Sequence, residues 1–262
     1  MPALLEIELD TPHARPTGLL GVPLHGLIFS ALERVNPALS TRIHEAEIKP
    51  FRIGQSRWDE GEDGPGQVRF QLGLLDDELL GYVLQALAPG SLHGDPDSTL
   101  RGEVRAARTA LQESYAALYA RHASGTTGRQ LRFEFLTPTT FRANDLDLPF
   151  PVPKTLFYGL QRRWEAFSDL HFGPELNDWI SRAVRVQDFG LRPRRAHFKG
   201  MRNAALTACV GEVEYLIARP GDAEPTFARL LADYANYSGV GYKTAYGLGH
   251  VETSGWRSPA AP

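Results

Sequence analysis

The feature that most constrains this chain is that one order of apolar patterns can be read twice along it. In the first half, Leu5, Ile7 and Leu9 alternate as a strand does. Pro23 then opens a helix whose apolar residues, Leu24, Leu27, Ile28, Ala31, Leu32 and Val35, recur at helical spacing, until Asn36-Pro37 stops it. Strand-like residues follow through Ile53, Val68 to Leu74 alternate again, and Leu79, Leu80, Val83, Leu84 and Leu87 form a second helical stripe. The order then demands a closing strand between Glu103 and Ala120. There, Val104, Ala107, Leu111, Tyr115 and Leu118 read at least as well as a helix, and periodicity leaves both readings open. In the second half Leu131, Phe133 and Phe135 alternate, and Leu156, Phe157, Leu160, Trp164 and Phe167 mark a helix. Strands around 184–199 and 204–218, a helix from Thr226 and a last strand at His250 complete the repeat.

Strand, helix, two strands, helix, strand, taken twice, predicts an α+β fold of two tandem ferredoxin-like (βαββαβ, RRM-like) domains with a groove between them. The expected division is residues 1–128 and 129–262, with the boundary near Gly128. Ala123 to Gly128 is the candidate linker, and the polar, proline-flanked stretch from Asn144 to Pro153 is read as part of the second domain.

The chain has 262 residues, 42% of them hydrophobic and 23% charged, which is enough for one or two cored domains. Its one cysteine, Cys209, sits in an apolar setting and is expected to be a small buried hydrophobe in a reducing compartment. No basic leader precedes an apolar core at the N-terminus, and no apolar run reaches the roughly eighteen residues a membrane span needs. A soluble, cytoplasmic protein is expected. The formal charge of -3 speaks weakly against nucleic acid, but its distribution is uneven. Arg185, Arg192, Arg194, Arg195, Lys199 and Arg202 face only Asp188 in their stretch, and on sequence alone they read either as a solvated surface or as a phosphate-facing one. No H-E-x-x-H, paired-cysteine or acidic spacing suggests a metal site, and no cofactor is expected.

Ser238 to Val251 reads SGVGYKTAYGLGHV. Tyr242 separates Gly241 from Lys243, so this is not a nucleotide-binding P-loop, and it follows a helix where a dinucleotide fingerprint would open one. Gly239, Gly241, Gly247 and Gly249 suggest a loop whose bare amides face an anionic chain, with Lys243 adding a point charge. The spacing alone fits a helix exit that merely turns the chain equally well.

The loop resembles the C-terminal glycine-rich motif of the CRISPR-associated endoribonucleases that process precursor CRISPR RNA, members of the RAMP superfamily. Leu24 to Phe51 is similar to that family's first helix and catalytic-histidine segment, Leu131 to Arg142 to its central strand and Pro-Thr-Thr turn, and Val210 to Ile217 to the strand before its last helix. The resemblance implies a metal-independent endoribonuclease that binds a CRISPR repeat RNA, expected to be a stem-loop. Attack by a ribose 2′-hydroxyl would leave a 2′,3′-cyclic phosphate and a 5′-hydroxyl. A homodimer is left open.

The family's catalytic histidine falls where this chain has IHEAEIKPF, at His44, with Lys49 as the basic residue shortly after it. A tyrosine that often accompanies it falls at Phe29, which cannot transfer a proton. His25 lies one helical turn earlier, on the first turn of the helix and off its apolar stripe, and is inferred to replace that tyrosine. The helix N-terminus is expected to disfavour its protonation and make it the base. The expected RNA contacts are Gly239, Gly241, Lys243, Gly247 and Gly249, together with Arg192, Arg194, Arg195 and Lys199. A non-catalytic RAMP subunit that holds guide RNA is the alternative, and the two histidines distinguish the readings.

Overall fold

A computed structural model describes residues 1–12, 19–60, 66–94, 100–123, 128–143, 146–197, 205–219 and 221–253. Lys199, Phe198, Arg202, Glu62, Asp63, Asn144 and linker residues 124–127 lie outside the described residues. The first half runs β1 (Ala3–Thr11), α1 (Gly21–Val35), α2 (Pro37–Glu45), β2 (Phe51–Asp59), β3 (Gly66–Leu74), α3 (Asp77–Ala86), a short β4 (Leu92–His93) and β5 (Gly102–Gln112). Its strands form one sheet in the order β2-β3-β1-β5-β4, every neighbouring pair antiparallel. The register sets Leu5 opposite Leu72, Ile7 opposite Phe70 and Leu9 opposite Val68. That apolar face is buried with Leu24, Leu27, Ile28 and Leu32 of α1 and with Leu79 and Val83 of α3.

Two details of this half differ from the sequence reading. Asn36-Pro37 ends α1 but also starts α2. The Asn36 side chain accepts a hydrogen bond from Leu39 N–H (3.0 Å), and Pro37 takes the first helical position, where no N–H is needed. His44 therefore sits in the last turn of a second helix. The ambiguous segment from Glu103 to Ala120 divides in two. Up to Gln112 it is β5, whose pairing with β1 shifts register twice and so spoils a clean alternation. Ser114 then caps α4 (Tyr115–Ala123), its Oγ accepting from Ala117 N–H (3.0 Å).

The second half runs β6 (Gln130–Thr139), β7 (Phe141–Ala143), β8 (Leu146–Leu148), α5 (Pro153–Phe167), α6 (Glu175–Ala183), β9 (Val184–His197), β10 (Ala205–Ile217), α7 (Glu224–Ser238), a 3-10 turn (Thr244–Tyr246) and β11 (Val251–Thr253). β7 and β8 form a small hairpin, and the main sheet has the order β11-β6-β10-β9. Leaving aside the short edge strand β4 and the β7–β8 hairpin, each main sheet places the first strand of its half between the third and the fourth. The fold is thus two tandem ferredoxin-like units. Phe133, Phe157, Trp164, Tyr215 and Tyr234 fill the second core, with aromatic rings meeting edge to face. Cys209 is buried, and burial pushes its thiol up to about 11, which suits a structural role.

The two units share packing around α7. Leu118 of α4, Leu4 of β1 and Leu75 just after β3 belong to the second core, and α4 packs on α7. The C-terminus of α7 rests on the first sheet, so closely that a Cβ on Gly73 would stand 2.1 Å from the Tyr237 carbonyl oxygen. His250, ahead of β11, is buried, and its Nδ1 accepts from Gln55 N–H of β2 (2.9 Å). Burial first, and then the nearby Arg52 charge, hold its pKa well below the ordinary value, so it remains a neutral acceptor between the sheets.

Candidate functional site

Where α7 ends, the glycine-rich loop threads between the two units, and close approach explains its composition. A Cβ on Gly249 would stand 1.9 Å from the Val240 carbonyl oxygen and one on Gly241 2.3 Å from that of Thr140, while both residues have positive φ (71° and 77°). Three of the four glycine amides are not bare, contrary to expectation. Gly239 N–H donates to Ala235 O (2.8 Å), that of Gly247 to Thr244 O (3.2 Å) and that of Gly249 to Pro138 O (3.1 Å), because backbone donors this deep in the protein need internal partners. The loop presents side chains instead. Lys243 adopts the left-handed conformation (φ 58°), and its Nζ lies 5.2 Å from the Tyr242 ring centre and 4.6 Å from that of Tyr246.

His25 is the fifth residue of α1 and is buried, not displayed on the first turn. Its ring stacks on Tyr246 (centroids 3.8 Å apart) and meets Phe29 (4.7 Å), and its Nδ1 lies 3.0 Å from the carbonyl oxygen of Ala245. A carbonyl can only accept, so Nδ1 carries the proton and Nε2 keeps the lone pair. Burial lowers its pKa to about 4; the Ala245 bond opposes this, and the His44, Lys49 and Lys243 charges add to it. The expected neutrality is present, with desolvation as its main cause.

Phe29 also touches the second histidine, His44, edge to face at 5.3 Å, so the two imidazoles flank one phenyl ring. His44 is exposed at the end of α2. Lys49 folds back on that helix end, its Nζ donating to His44 O (2.6 Å) and Ala46 O (2.7 Å), where a cation suits the carbonyl end of the helix. Two of its three N–H groups are thus engaged, leaving one for a ligand. Partial burial lowers its pKa.

Beside these residues, between the α2–β2 connection, α5, β7 and the glycine loop, lies a cleft of about 460 Å³. Lys49, Arg142, Arg162 and Lys243 line it, with Glu47 as an acid that pairs with Arg162 (2.7 Å). Tyr158, 52% exposed, stands on its α5 wall. Beneath it two arginines, Arg52 buried and Arg163 partly buried, hold the end of α7 and the loop that follows. Arg163 donates to the carbonyls of Gly239 (2.9 Å) and Gly241 (2.6 Å), and Arg52 to those of Asn236 (2.6 Å) and Tyr237 (3.0 Å). Burial lowers both pKa values, to about 10 and about 9, yet leaves both groups cationic at neutral pH.

Arg192, Arg194 and Arg195 are exposed on β9, the edge strand of the second sheet. They do not line the cleft. Their neighbour Ala196 packs with Leu206 and Leu248, against Tyr242 and Tyr246, which brings the basic hairpin alongside the glycine loop.

The description CRISPR-associated endoribonuclease Cas6 belongs to a family model that matches residues 133–251. The CRISPR-associated endoribonuclease Cas6 of Mycobacterium tuberculosis is 22% identical over 263 residues, covering 98% of this chain and 78% of that protein. A solved Thermus thermophilus Cas6 in a product complex matches with a TM-score of 0.78 at 27% identity, over 97% of this chain and 100% of the other. The chain is similar to Cas6 proteins, by the family model over residues 133–251 and by fold over nearly its whole length. The product of a Cas6-related gene from Pyrococcus furiosus shares the fold, with a TM-score of 0.64 at 13% identity over 98% of this chain and 100% of that one.

The sequence reading passes over Arg52, Arg163, Arg142, Arg162 and Tyr158. Arg163 had a legible signal: it lies three residues after Leu160 and seven after Leu156, on the buried face of α5. Arg52 had none, because the groups that cover it on β2 include the end of α7, far away in the sequence.

Proposed function

We propose that this chain is a Cas6-type, metal-independent endoribonuclease that cuts CRISPR repeat RNA within precursor transcripts. The observation that carries the proposal is the placement of two histidines on either side of Phe29, next to a cleft lined by cations and tyrosines. The ribose 2′-oxygen attacks the adjacent phosphorus, forming a P–O2′ bond as the P–O5′ bond breaks, which requires RNA. The 2′-hydroxyl proton passes to the lone pair of His25 Nε2, and His44 gives a proton to the departing 5′-oxygen. The third Lys49 N–H stabilises the charge that builds on the phosphoryl oxygens. The products are a 2′,3′-cyclic phosphate and a 5′-hydroxyl. Gly239, Gly241, Gly247 and Gly249 shape the backbone that carries Lys243 to the RNA, and Arg192, Arg194 and Arg195, with Lys199, hold phosphates of the stem. Residues 1–128 would then supply the proton-transfer groups and residues 129–262 most of the RNA contacts.

The test incubates the protein with end-labelled repeat RNA in excess EDTA, beside RNAs carrying one 2′-deoxy nucleotide at successive positions. A single cut, abolished only by the deoxy nucleotide immediately upstream of it, is expected. Tight binding without cutting would transfer the chain to the guide-holding class, and no binding would overturn the proposal.

A further inference from the structure

The cleft holds more chemistry than the proton-transfer step uses. Lys49 and Lys243 serve the reaction centre and the loop, whereas Tyr158, Arg162 and Arg142 on its far walls have no part in the step above. Tyr158 is half exposed on α5, with the Arg162 guanidinium 6.0 Å from its ring centre. Arg142 of β7 lies 5.0 Å from the Tyr242 ring centre on the opposite wall. An aromatic face with guanidinium groups beside it is the arrangement that takes a nucleotide, the base on the ring and the phosphate on the cations.

Size decides the form of the nucleic acid. About 460 Å³ falls within the range of small-molecule pockets, which suits one unstacked nucleotide and excludes a duplex. Single-stranded flanks are also where RNA bases are free to stack on side chains. We propose that this cleft binds one unpaired nucleotide flanking the cut, its base stacked on Tyr158 and its phosphate held by Arg142 and Arg162. Glu47, exposed and paired with Arg162, occupies the phosphate position until RNA displaces it. The inference rests on the proposed function and adds a base subsite to it.

The test uses repeat RNAs with a single abasic ribose at successive positions on each side of the cut, bound to the wild type, Tyr158→Ala and Tyr158→Phe. Removing a stack lowers affinity by roughly 5- to 150-fold. In the wild type one unpaired position should show that loss. Tyr158→Ala should weaken the intact RNA by a similar factor and erase the sensitivity at that position, and Tyr158→Phe should preserve both. Exposure of Tyr158 makes its truncation tolerable to the fold, which an unchanged melting temperature verifies. If Tyr158→Ala has the same abasic profile as the wild type while both still cut, the subsite is overturned and the proposed function stands. If the wild type neither binds nor cuts repeat RNA, both are overturned.

Discussion

The Nδ1 of His25 and the carbonyl oxygen of Ala245, 220 residues apart in the chain, lie 3.0 Å from each other and tie α1 to the glycine loop. This bond fixes the imidazole tautomer, leaving the lone pair on Nε2. Structure and proton transfer can be separated by substitution. His25→Asn can keep a donor to Ala245 while losing the base, so it should lose only the ring stacking, about 1 kcal/mol of stability. Cutting should fall by about 10²- to 10⁴-fold. His25→Ala should lose the loop bond as well. Cleavage rates and thermal melts of the two variants provide the check; full activity in His25→Asn would remove His25 from the reaction.

Stability should depend on pH through the same residue. Its pKa is lowered on folding to about 4, so the unfolded chain binds the proton more readily between that value and the unfolded value near 6.5. His25 thus contributes fully above about pH 6.5, and its contribution is lost as pH falls toward about 4, up to about 3 kcal/mol. His250, lowered by burial in the same direction, adds to the loss. Denaturant melts at a series of pH values should show a fall that His25→Asn makes shallower.

His44 offers the contrasting case. It is exposed, and its ring makes an edge contact with Phe29, so His44→Ala should change stability by less than about 0.5 kcal/mol. Cutting should fall by at least about 10²-fold while RNA affinity is retained. Single-turnover cleavage beside filter binding separates the two effects, and equal loss of both would make His44 a binding residue.

The sequence carried the repeat of strand and helix because the buried faces of β1, β3, α1 and α5 are locally periodic. α2 escaped because Asn36-Pro37 is equally a stop signal and a start signal. β5 was blurred by two register shifts against β1 and by α4 following directly. At the site, His44 and Lys49 were legible as a motif, but the burial of His25 was not, since Tyr246 and Ala245 cover it from the far end of the chain. The glycines were read as ligands when their first role is steric: contacts such as Gly249 against Val240 exist only after the loop has folded.

That steric role predicts opposite outcomes for two glycines. Gly249→Ala would set a Cβ against the Val240 carbonyl oxygen at a positive φ, and should destabilise by about 3 kcal/mol or more while displacing Lys243. Gly81→Ala, at an exposed site of α3 with no atom within 4 Å of the new Cβ, should stabilise by about 0.5–1 kcal/mol. Denaturant titrations of the two proteins measure both signs.

Arg192, Arg194 and Arg195 should behave as phosphate contacts and not as base readers. They are exposed on an edge strand outside the cleft, where a long polyanion can lie along them but no pocket selects a base. Each neutralised phosphate contributes about 0.7–0.9 to the slope of log affinity against log salt. Substituting one of them with Gln should therefore reduce that slope by nearly one and weaken all RNAs alike, with the cut position unchanged. An unaltered slope would show that the arginine does not meet phosphate, whereas a change confined to one RNA sequence would mean that it reads a base.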